Sequence, residues 1–321
     1  MVRIGWSGLL VGALALGSVV VTGLAAQAWP KSDVSLSAPR TPRRRLPRWT
    51  SPPPLRELAF TSVRHGNPEI YAIRLSDGQP RRLTTRSSAE FVSDWSTDGG
   101  RLLLTSNRDG DLEAYSMSTD GSDWRQLTST SGDEYQPVWS PDGLRIACSA
   151  VVNGNNDIYV MASDGSSRVR LTTGTTFDAT PSWSPDGSRI VFASGRTGNG
   201  DIYVMGSDGS NPIRLTATAA TEYSPDWSPD GSRIAFMSDL SGLNRLYVMA
   251  TDGSDVREIP TGDRDGWDPM WSSDGQLIAF YSYGPGGYTP GATSTVWVTE
   301  PDGSDLRQVD PMDGSHPVWR P

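Results

Sequence analysis

The fold is decided by a unit that reads Pro181-Ser182-Trp183-Ser184-Pro185-Asp186-Gly187-Ser188-Arg189-Ile190 and is followed by Asp201-Ile202-Tyr203-Val204-Met205. Its tryptophan recurs every 44 residues and, at the end of the chain, after 48. The tryptophans of this series are Trp95, Trp139, Trp183, Trp227, Trp271 and Trp319. A constant period of this length is the signature of a repeat architecture. The chain is therefore predicted to consist of copies of one small unit.

Each unit contains four short segments separated by turn signals. In the copy quoted above, the Trp183 segment is followed by a strand around Val191, a strand around Tyr203 and the segment Arg214-Leu215-Thr216. Asp-Gly pairs join the first segment to the second and the third to the fourth. Asp-Gly between apolar runs predicts a hairpin, because glycine supplies the positive φ that the turn needs. Four antiparallel strands in about 44 residues are typical of one blade of a β-propeller.

The ends of the repeat region predict how the ring of blades closes. The first unit begins at Glu57 and lacks a Trp-Ser-x-Asp-Gly strand, whereas the chain finishes with the single strand His316-Pro317-Val318-Trp319. We expect this C-terminal strand to be the innermost strand of blade 1, because the ring then has no unpaired edge. The predicted fold class is all-β: a six-bladed β-propeller with four antiparallel strands per blade, over residues 55–321.

The repeat also carries a family resemblance. Segments such as Trp183-Ser184-Pro185-Asp186-Gly187 resemble the repeats of the TolB-like six-bladed β-propellers, which are WD40-like. The resemblance covers residues 55–321 and implies the fold rather than one activity, since the same repeat occurs in non-catalytic domains of peptidases and in some polysaccharide lyases. TolB itself also has an N-terminal α/β domain, which residues 1–54 are not expected to form.

Residues 1–54 predict export. Arg3 precedes an uncharged, mostly apolar run that ends in Ala26-Gln27-Ala28, the small-x-small pattern of a signal-peptidase site. The run is also long enough to span a bilayer uncut as a membrane anchor. Residues 29–54 are basic and rich in Pro, Ser and Arg, which predicts an extended linker. We expect a periplasmic or extracellular protein, with cleavage after Ala28 and membrane anchoring left as alternatives.

Composition and charge exclude several classes of site and partner. One cysteine, Cys148, and two histidines cannot form an intramolecular disulfide, a structural zinc site or an iron–sulfur site. The net charge of −9 is uneven, because residues 29–54 carry five more positive than negative charges and residues 55–321 carry fifteen more negative than positive. Nucleic acid binding needs basic residues clustered on one face, so nucleic acid is not an expected partner.

Strand direction divides the loops between two faces of the ring. The innermost strands begin on one face, which we call face T, together with the loops between the second and third strands. All the Asp-Gly turns lie on the opposite face, face B. Face T has the more variable loops, and variable loops on a rigid scaffold are the usual place for binding.

Carboxylates form the first candidate site on face T. They lie five residues before the blade tryptophan in four blades and three residues before it in blade 6. We expect a partial ring at the mouth of the central channel that binds either a divalent cation such as calcium or a cationic group of a partner. The alternative is a solvated rim whose acids cap backbone amides. The residues are Glu90, Glu134, Asp178, Glu222 and Asp268.

Two histidines and a tyrosine-rich loop complete the candidate residues. His65 and His316 are both placed on face T of blade 1, where they either form a metal or acid–base site or lie together by coincidence. Blade 6 has six extra residues in the loop 281–294, which contains Tyr283 and Tyr288 as well as Tyr281. Exposed tyrosines are common binding anchors, although these could equally pack against blade 5.

These patterns favour an exported, non-catalytic and monomeric propeller that serves as a protein- or peptide-binding scaffold in the cell envelope. No resident cofactor is expected apart from the possible divalent cation. The alternative is a metal-assisted enzyme that acts on polysaccharide, as the resemblance to propeller lyases implies. That resemblance also implies several clustered histidines around the metal, whereas this chain has two.

Overall fold

The computed structural model describes residues 56–321, and these form 24 β-strands in six four-stranded sheets. The predicted signal peptide or anchor and the linker lie outside the described residues. Within residues 56–321, no helix is long and apolar enough to cross a membrane. All-β architecture with six blades is therefore confirmed.

Every blade has its strands in the same order from the channel outward. Blade 1 comprises β24 (Ser315–Trp319), β1 (Glu57–Ser62), β2 (Glu69–Arg74) and β3 (Arg81–Arg82); blade 2, β4 (Glu90–Trp95), β5 (Arg101–Ser106), β6 (Glu113–Ser118) and β7 (Arg125–Gln126); blade 3, β8 (Glu134–Trp139), β9 (Arg145–Val152), β10 (Asn155–Ala162) and β11 (Val169–Arg170). Blade 4 comprises β12 (Asp178–Trp183), β13 (Arg189–Ser194), β14 (Asp201–Gly206) and β15 (Ile213–Arg214); blade 5, β16 (Glu222–Trp227), β17 (Arg233–Ser238), β18 (Arg245–Ala250) and β19 (Arg257–Glu258); blade 6, β20 (Trp267–Trp271), β21 (Ile278–Ser282), β22 (Thr295–Thr299) and β23 (Arg307–Gln308).

The C-terminal strand closes the ring as predicted. β24 pairs antiparallel with β1, with Leu58 opposite Trp319, and it also packs against the inner strands β20 and β4 of the blades on either side. The indole Nε1 of Trp95 donates to the Val318 carbonyl at 3.2 Å, and Trp319 Nε1 donates to the Met270 carbonyl at 3.1 Å. Both joints of blade 1 therefore depend on residues of the last strand.

The hydrophobic core consists of six clusters, one at each joint between neighbouring blades. A tryptophan of the repeat packs in each cluster; Trp95, for example, packs with Ile70 of blade 1 and Leu104 of blade 2. Cys148 is fully buried among such residues, and burial raises the pKa of its thiol to about 12. The repeated tryptophans are therefore the side chains that hold adjacent blades together.

The Asp-Gly turns have a structural role on face B. Asp98 Oδ1 accepts hydrogen bonds from the Ser96 hydroxyl at 2.6 Å and the Gly100 amide at 2.9 Å, and the other copies repeat this pattern. Gly121 has φ +85°, and a Cβ there would lie 2.2 Å from the Leu83 carbonyl oxygen of the neighbouring blade. Glycine is required at this position by both its backbone conformation and the close approach.

A β-bulge interrupts the innermost strand of each blade. In β12, Thr180 and Pro181 together lie opposite one residue of β13, and Thr180 has the left-handed φ of 54°. The equivalent positions in blades 6 and 1 are Asp268 and His316, also with positive φ. A bulge changes the sheet face to which the preceding side chains point. The alternation of side chains along a regular strand therefore does not continue from the tryptophan back across the bulge.

Candidate functional site

The four carboxylates that open inner strands are buried inside the blades. Glu90, Glu134, Asp178 and Glu222 are each at most 2 % exposed. The expected ring of accessible carboxylates is therefore wrong for these four, and so is the alternative of a solvated rim. Because of the bulge, they lie within the blade rather than open to the channel mouth.

Arginines lie beside three of these four carboxylates. In blade 4, Arg196 Nη2 lies 3.1 Å from Asp178 Oδ1, and its guanidinium carbon lies 4.7 Å from the centre of the Tyr203 ring. Blade 1 repeats this arrangement with Arg64, which lies 2.7 Å from Asp310 and 4.6 Å from the Tyr71 ring centre. Equivalent groups in blades 2 and 3 are Arg108 with Glu90 and Tyr115, and Arg168 with Glu134 and Tyr159. A buried acid with a stacked arginine is therefore a structural unit of the blade.

Four of the predicted site residues do come together on face T. His316 and Asp268 are on neighbouring inner strands, and His316 Nε2 lies 3.6 Å from Asp268 Oδ2. Tyr283 and Tyr288 pack edge to face with ring centres 4.9 Å apart. Tyr281 links the two pairs, because its ring centre lies 5.4 Å from that of His316 and 5.8 Å from that of Tyr283.

Two further aromatic residues join this group. Trp267 stacks on Tyr281 at 6.2 Å and meets Tyr283 edge-on at 6.0 Å, while Phe91 of blade 2 meets His316 at 6.2 Å. We call the whole set the aromatic mouth: Phe91, Trp267, Tyr281, Tyr283, Tyr288 and His316. Sequence reasoning did not select Phe91 or Trp267. The signal was an aromatic residue four positions before the blade tryptophan, which is present at Phe91, Tyr135, Tyr223 and Trp267.

A buried carboxylate fixes the shape of the mouth. Asp265 is 1 % exposed and accepts hydrogen bonds from the Ser282 hydroxyl at 2.8 Å, the Tyr283 amide at 2.9 Å and Trp267 Nε1 at 2.6 Å. Burial, followed by the nearby Tyr288 and Asp268, raises the pKa of Tyr283 to about 12. The Tyr283 hydroxyl therefore stays neutral near pH 7. Tyr288 is 47 % exposed, so its side chain is accessible to solvent.

His65 lies apart from this group. Its Nδ1 contacts the Tyr71 hydroxyl and its ring stacks on that of Tyr71, whereas His316 contacts Asp268, Phe91 and Tyr281. In the part of the chain that the structure describes, no group of three or more His, Cys, Asp or Glu side chains is arranged to hold a metal ion. The divalent cation remains a prediction.

Two further acids lie on innermost strands, one residue before the blade tryptophan. Asp94 accepts hydrogen bonds from the backbone amides of Trp95 and Trp139, both at 2.7 Å. Asp226 accepts from the Trp271 amide at 2.8 Å and the Ser182 hydroxyl at 3.0 Å. Each carboxylate thus connects adjacent blades. Burial raises the pKa of Asp94 to about 7 and that of Asp226 to about 6.

We expect these two acids to make the propeller more stable at pH 5 than at pH 8. Their pKa values in the folded state lie above the ordinary aspartate value of 3.8, so the folded protein keeps protons that the unfolded chain releases. This stabilisation is present at low pH and is lost as pH rises through about 6 to 7. The melting temperature, measured by thermal unfolding, should fall by roughly 5 °C between pH 5 and pH 8.

The double variant Asp94→Asn/Asp226→Asn should lose part of this pH dependence, while Glu134, whose pKa burial raises to about 7, still contributes in the same direction. The matched control is Asp98→Asn on face B, because hydrogen bonding lowers the pKa of Asp98 and moves its titration below this pH range. An unchanged slope between pH 5 and 8 in the double variant would show that other groups are responsible.

Comparison with known proteins agrees with this architecture. The sequence matches the family described as the TolB beta propeller domain over residues 43–136, 126–218 and 196–309. The chain belongs to this family. A comparison with curated protein sequences gives no match.

Three solved structures illustrate what the chain is similar to. The putative TolB from Agrobacterium tumefaciens is 25 % identical, with a TM-score of 0.68 over 81 % of this chain and 90 % of that one. TolB from Acinetobacter baumannii is 20 % identical, with a TM-score of 0.71 over 83 % and 67 %. An oligogalacturonate lyase from Vibrio parahaemolyticus is 16 % identical, with a TM-score of 0.52 over 78 % and 71 %. At such identities the second and third show the fold alone.

Proposed function

We propose that this TolB-family propeller is an exported, non-catalytic scaffold of the cell envelope that binds a protein or peptide at the aromatic mouth. The observation that carries the proposal is the cluster of Trp267, Tyr281, Tyr283 and Tyr288 beside the Asp268–His316 pair. Tyrosine and tryptophan are enriched among the residues that dominate binding energy at protein interfaces. The rigid ring supplies the scaffold, and the apolar run that ends at Ala28 supports export.

The negative charge of the propeller favours a partner that has basic or hydrogen-bond-donating groups. Residues 55–321 carry fifteen more negative than positive charges, so a basic partner is attracted at long range. At the mouth itself, Asp268 accepts a hydrogen bond from Ser224 and faces His316. A cationic side chain placed there would meet both a carboxylate and aromatic ring faces.

The alternative, a metal-assisted enzyme that acts on polysaccharide, rests on the likeness to an oligogalacturonate lyase. Aromatic rings also suit sugar stacking, so the aromatic mouth is compatible with this reading. However, the two histidines have separate contacts, with His65 on Tyr71 and His316 on Asp268. The binding scaffold is the function that these positions support better.

We expect the double variant Tyr283→Ala/Tyr288→Ala to bind its envelope partner at least ~30-fold more weakly than the wild type. The loss follows from removing the exposed ring of Tyr288 and the ring that supports it. The measurement is quantitative capture of envelope proteins by the immobilised mature protein, followed by titration of the protein retained.

The matched control lies on the opposite face. The triple variant Asp120→Asn/Asp164→Asn/Asp208→Asn changes exposed turns of face B and should leave capture unchanged. Equal capture by the tyrosine variant and the wild type, with both folded, would contradict binding at the aromatic mouth.

A further inference from the structure

Blade 5 contains a pocket at its joint with blade 4. The cavity has a volume of about 170 Å³, several times the space that one ordered water needs. Its lining comes from the segment that follows the last strand of blade 4, from the first three strands of blade 5 and from the connections on either side of the third. The lining includes Glu222, Phe236, Ser238, Leu240, Tyr247 and Val256.

In three other blades the same position is filled by an arginine of the chain. The backbone amide of Arg64 donates to the Ser62 hydroxyl at 3.3 Å, and its Nε donates to the same oxygen at 2.7 Å. Arg108 with Ser106 and Arg196 with Ser194 repeat both contacts. In all three blades the guanidinium carbon lies 4.6–4.7 Å from the centre of a tyrosine ring.

Blade 3 reaches the same arrangement by a different route. Val152 occupies the position that Arg64, Arg108 and Arg196 have in the other blades, and Arg168, which precedes the fourth strand, supplies the guanidinium instead. Arg168 lies 4.3 Å from the Tyr159 ring centre and 2.8 Å from Glu134. A guanidinium stacked on the tyrosine is therefore present in all of blades 1 to 4.

Blade 5 has every part of this arrangement except the guanidinium. The Leu240 amide donates to the Ser238 hydroxyl at 3.2 Å, so Leu240 occupies the position of Arg64, Arg108 and Arg196. Val256 occupies the position of Arg168, two repeats of 44 residues later. Both apolar side chains are about half exposed, at 54 % and 49 %.

The remaining groups of the pocket are in place for a cation. Phe236 and Tyr247 stack with ring centres 5.7 Å apart, as Phe60 and Tyr71 do at 5.9 Å in blade 1. Glu222 is 1 % exposed and, within residues 56–321, accepts hydrogen bonds only from hydroxyl groups, those of Thr216, Thr218 and Ser238. Among the described residues, no arginine or lysine nitrogen lies within 4 Å of Glu222.

Nearby arginines of the chain are held elsewhere. Arg245 donates to the backbone carbonyls of Gly262 and Arg264, at the joint with blade 6. Arg214 pairs with Asp201 at 2.8 Å. Burial raises the pKa of Glu222, as it does for its equivalents Glu90 and Glu134.

We propose that this pocket binds an arginine side chain of a partner protein, with the guanidinium stacked on Tyr247 and hydrogen-bonded to Glu222. The planar guanidinium suits this site because it stacks on a ring face and donates to a carboxylate at the same time. A lysine ammonium is a strongly hydrated point charge without a plane to stack. The pocket is formed by blades 4 and 5 and the aromatic mouth by blades 1, 2 and 6, so the proposal shares with the proposed function only the supposition of a protein partner.

The test uses N-acetyl-arginine amide as the probe and N-acetyl-lysine amide as its control. Binding to the full-length protein is followed by NMR of ¹³C-labelled leucine and valine methyl groups, which reports directly on Leu240 and Val256. We expect the arginine probe to shift these methyl signals with at least tenfold higher affinity than the lysine probe. Equal affinity of the two probes, or no shift at millimolar concentration, would overturn the proposal.

Leu240→Arg gives the most specific control, because it supplies from within the chain the guanidinium that blades 1, 2 and 4 contain. We expect this variant to melt at a higher temperature and to bind the arginine probe at least tenfold more weakly. Leu144→Arg, at a 67 % exposed leucine on face B, should change neither property. Probe binding to Leu240→Arg at the wild-type affinity would overturn the proposal.

Glu222→Gln should weaken binding of the arginine probe at least fivefold and leave the fold intact, because the hydroxyl contacts remain. Probe binding by Tyr283→Ala/Tyr288→Ala should equal that of the wild type, which separates this pocket from the aromatic mouth. Failure of envelope capture together with retained probe binding would count against the mouth and not against this pocket.

Discussion

Deletion of residues 315–321 is expected to abolish the stable folded monomer. The deletion removes β24, which pairs with β1 and packs between the inner strands of blades 6 and 2. Trp319 leaves its cluster, Trp95 loses the Val318 carbonyl as its acceptor, and the edge of β1 is left unpaired. Loss of one buried tryptophan side chain alone costs about 3–5 kcal/mol, against a total stability of about 5–15 kcal/mol.

Size-exclusion chromatography and thermal unfolding measure this effect. Removal of the exposed Pro321 alone is the matched control and should leave both unchanged. The truncated chain should aggregate or elute as a larger species, because an unpaired strand edge is a template for association. A monomer with an unchanged melting temperature would contradict closure of the ring by the last strand.

Arg64→Leu is expected to destabilise the propeller by about 3–5 kcal/mol, because it leaves a buried carboxylate without its cation. The Arg64 and Asp310 side chains are only 5 % and 3 % exposed, and Nη2 lies 2.7 Å from Oδ2. Arg64 also donates to the Asp313 carbonyl at 2.9 Å and stacks on Tyr71. Chemical denaturation gives the change in the free energy of unfolding.

Two controls distinguish the effect of leaving a buried carboxylate without its cation from the effect of removing any arginine. Arg307→Leu removes an arginine whose pair with Asp305 is exposed, at 44 % and 48 %, and should cost about 1 kcal/mol or less. Adding Asp310→Asn to Arg64→Leu should recover part of the loss, since the carboxylate charge is then absent. A cost for Arg64→Leu no greater than that for Arg307→Leu would contradict the structural role of the stacked arginines.

The blade count and the closure were predictable from the sequence because they depend on residues that recur with the repeat. Trp95 and its equivalents fill the joints between blades, so their spacing directly records the size of one blade. The lone strand that ends in Trp319 could pair only with the unit that lacked a tryptophan strand. These features are local in sequence or repeat with a fixed period.

The orientation of the carboxylates was not predictable in this way. Asp178 and Trp183 are five residues apart, and in a regular strand an odd separation places two side chains on opposite faces. The bulge at Thr180 adds one residue and reverses this relation. No residue type is diagnostic of that bulge, since the position is occupied by glutamine, threonine, serine, aspartate and histidine in different blades.

The aromatic mouth could be predicted only in part. Tyr283 and Tyr288 were identified by the extra residues of blade 6, and Asp268 and His316 by their positions on inner strands. Their proximity depends on closure of the ring, which places the C-terminal strand beside blade 6. Trp267 was missed because its significance comes from contacts with Tyr281 and Tyr283 rather than from its own position.

Site-specific photo-crosslinking tests most directly the claim that this propeller binds a protein or peptide at the aromatic mouth on face T. A photoreactive phenylalanine analogue is placed at Tyr288 in one version of the protein and at Leu144, an exposed residue of face B, in another. Both versions are irradiated in the native envelope, and cross-linked species are resolved by mass. We expect a defined cross-linked partner from position 288 and none from position 144; cross-links from 144 alone, or from neither position, would contradict binding at the aromatic mouth.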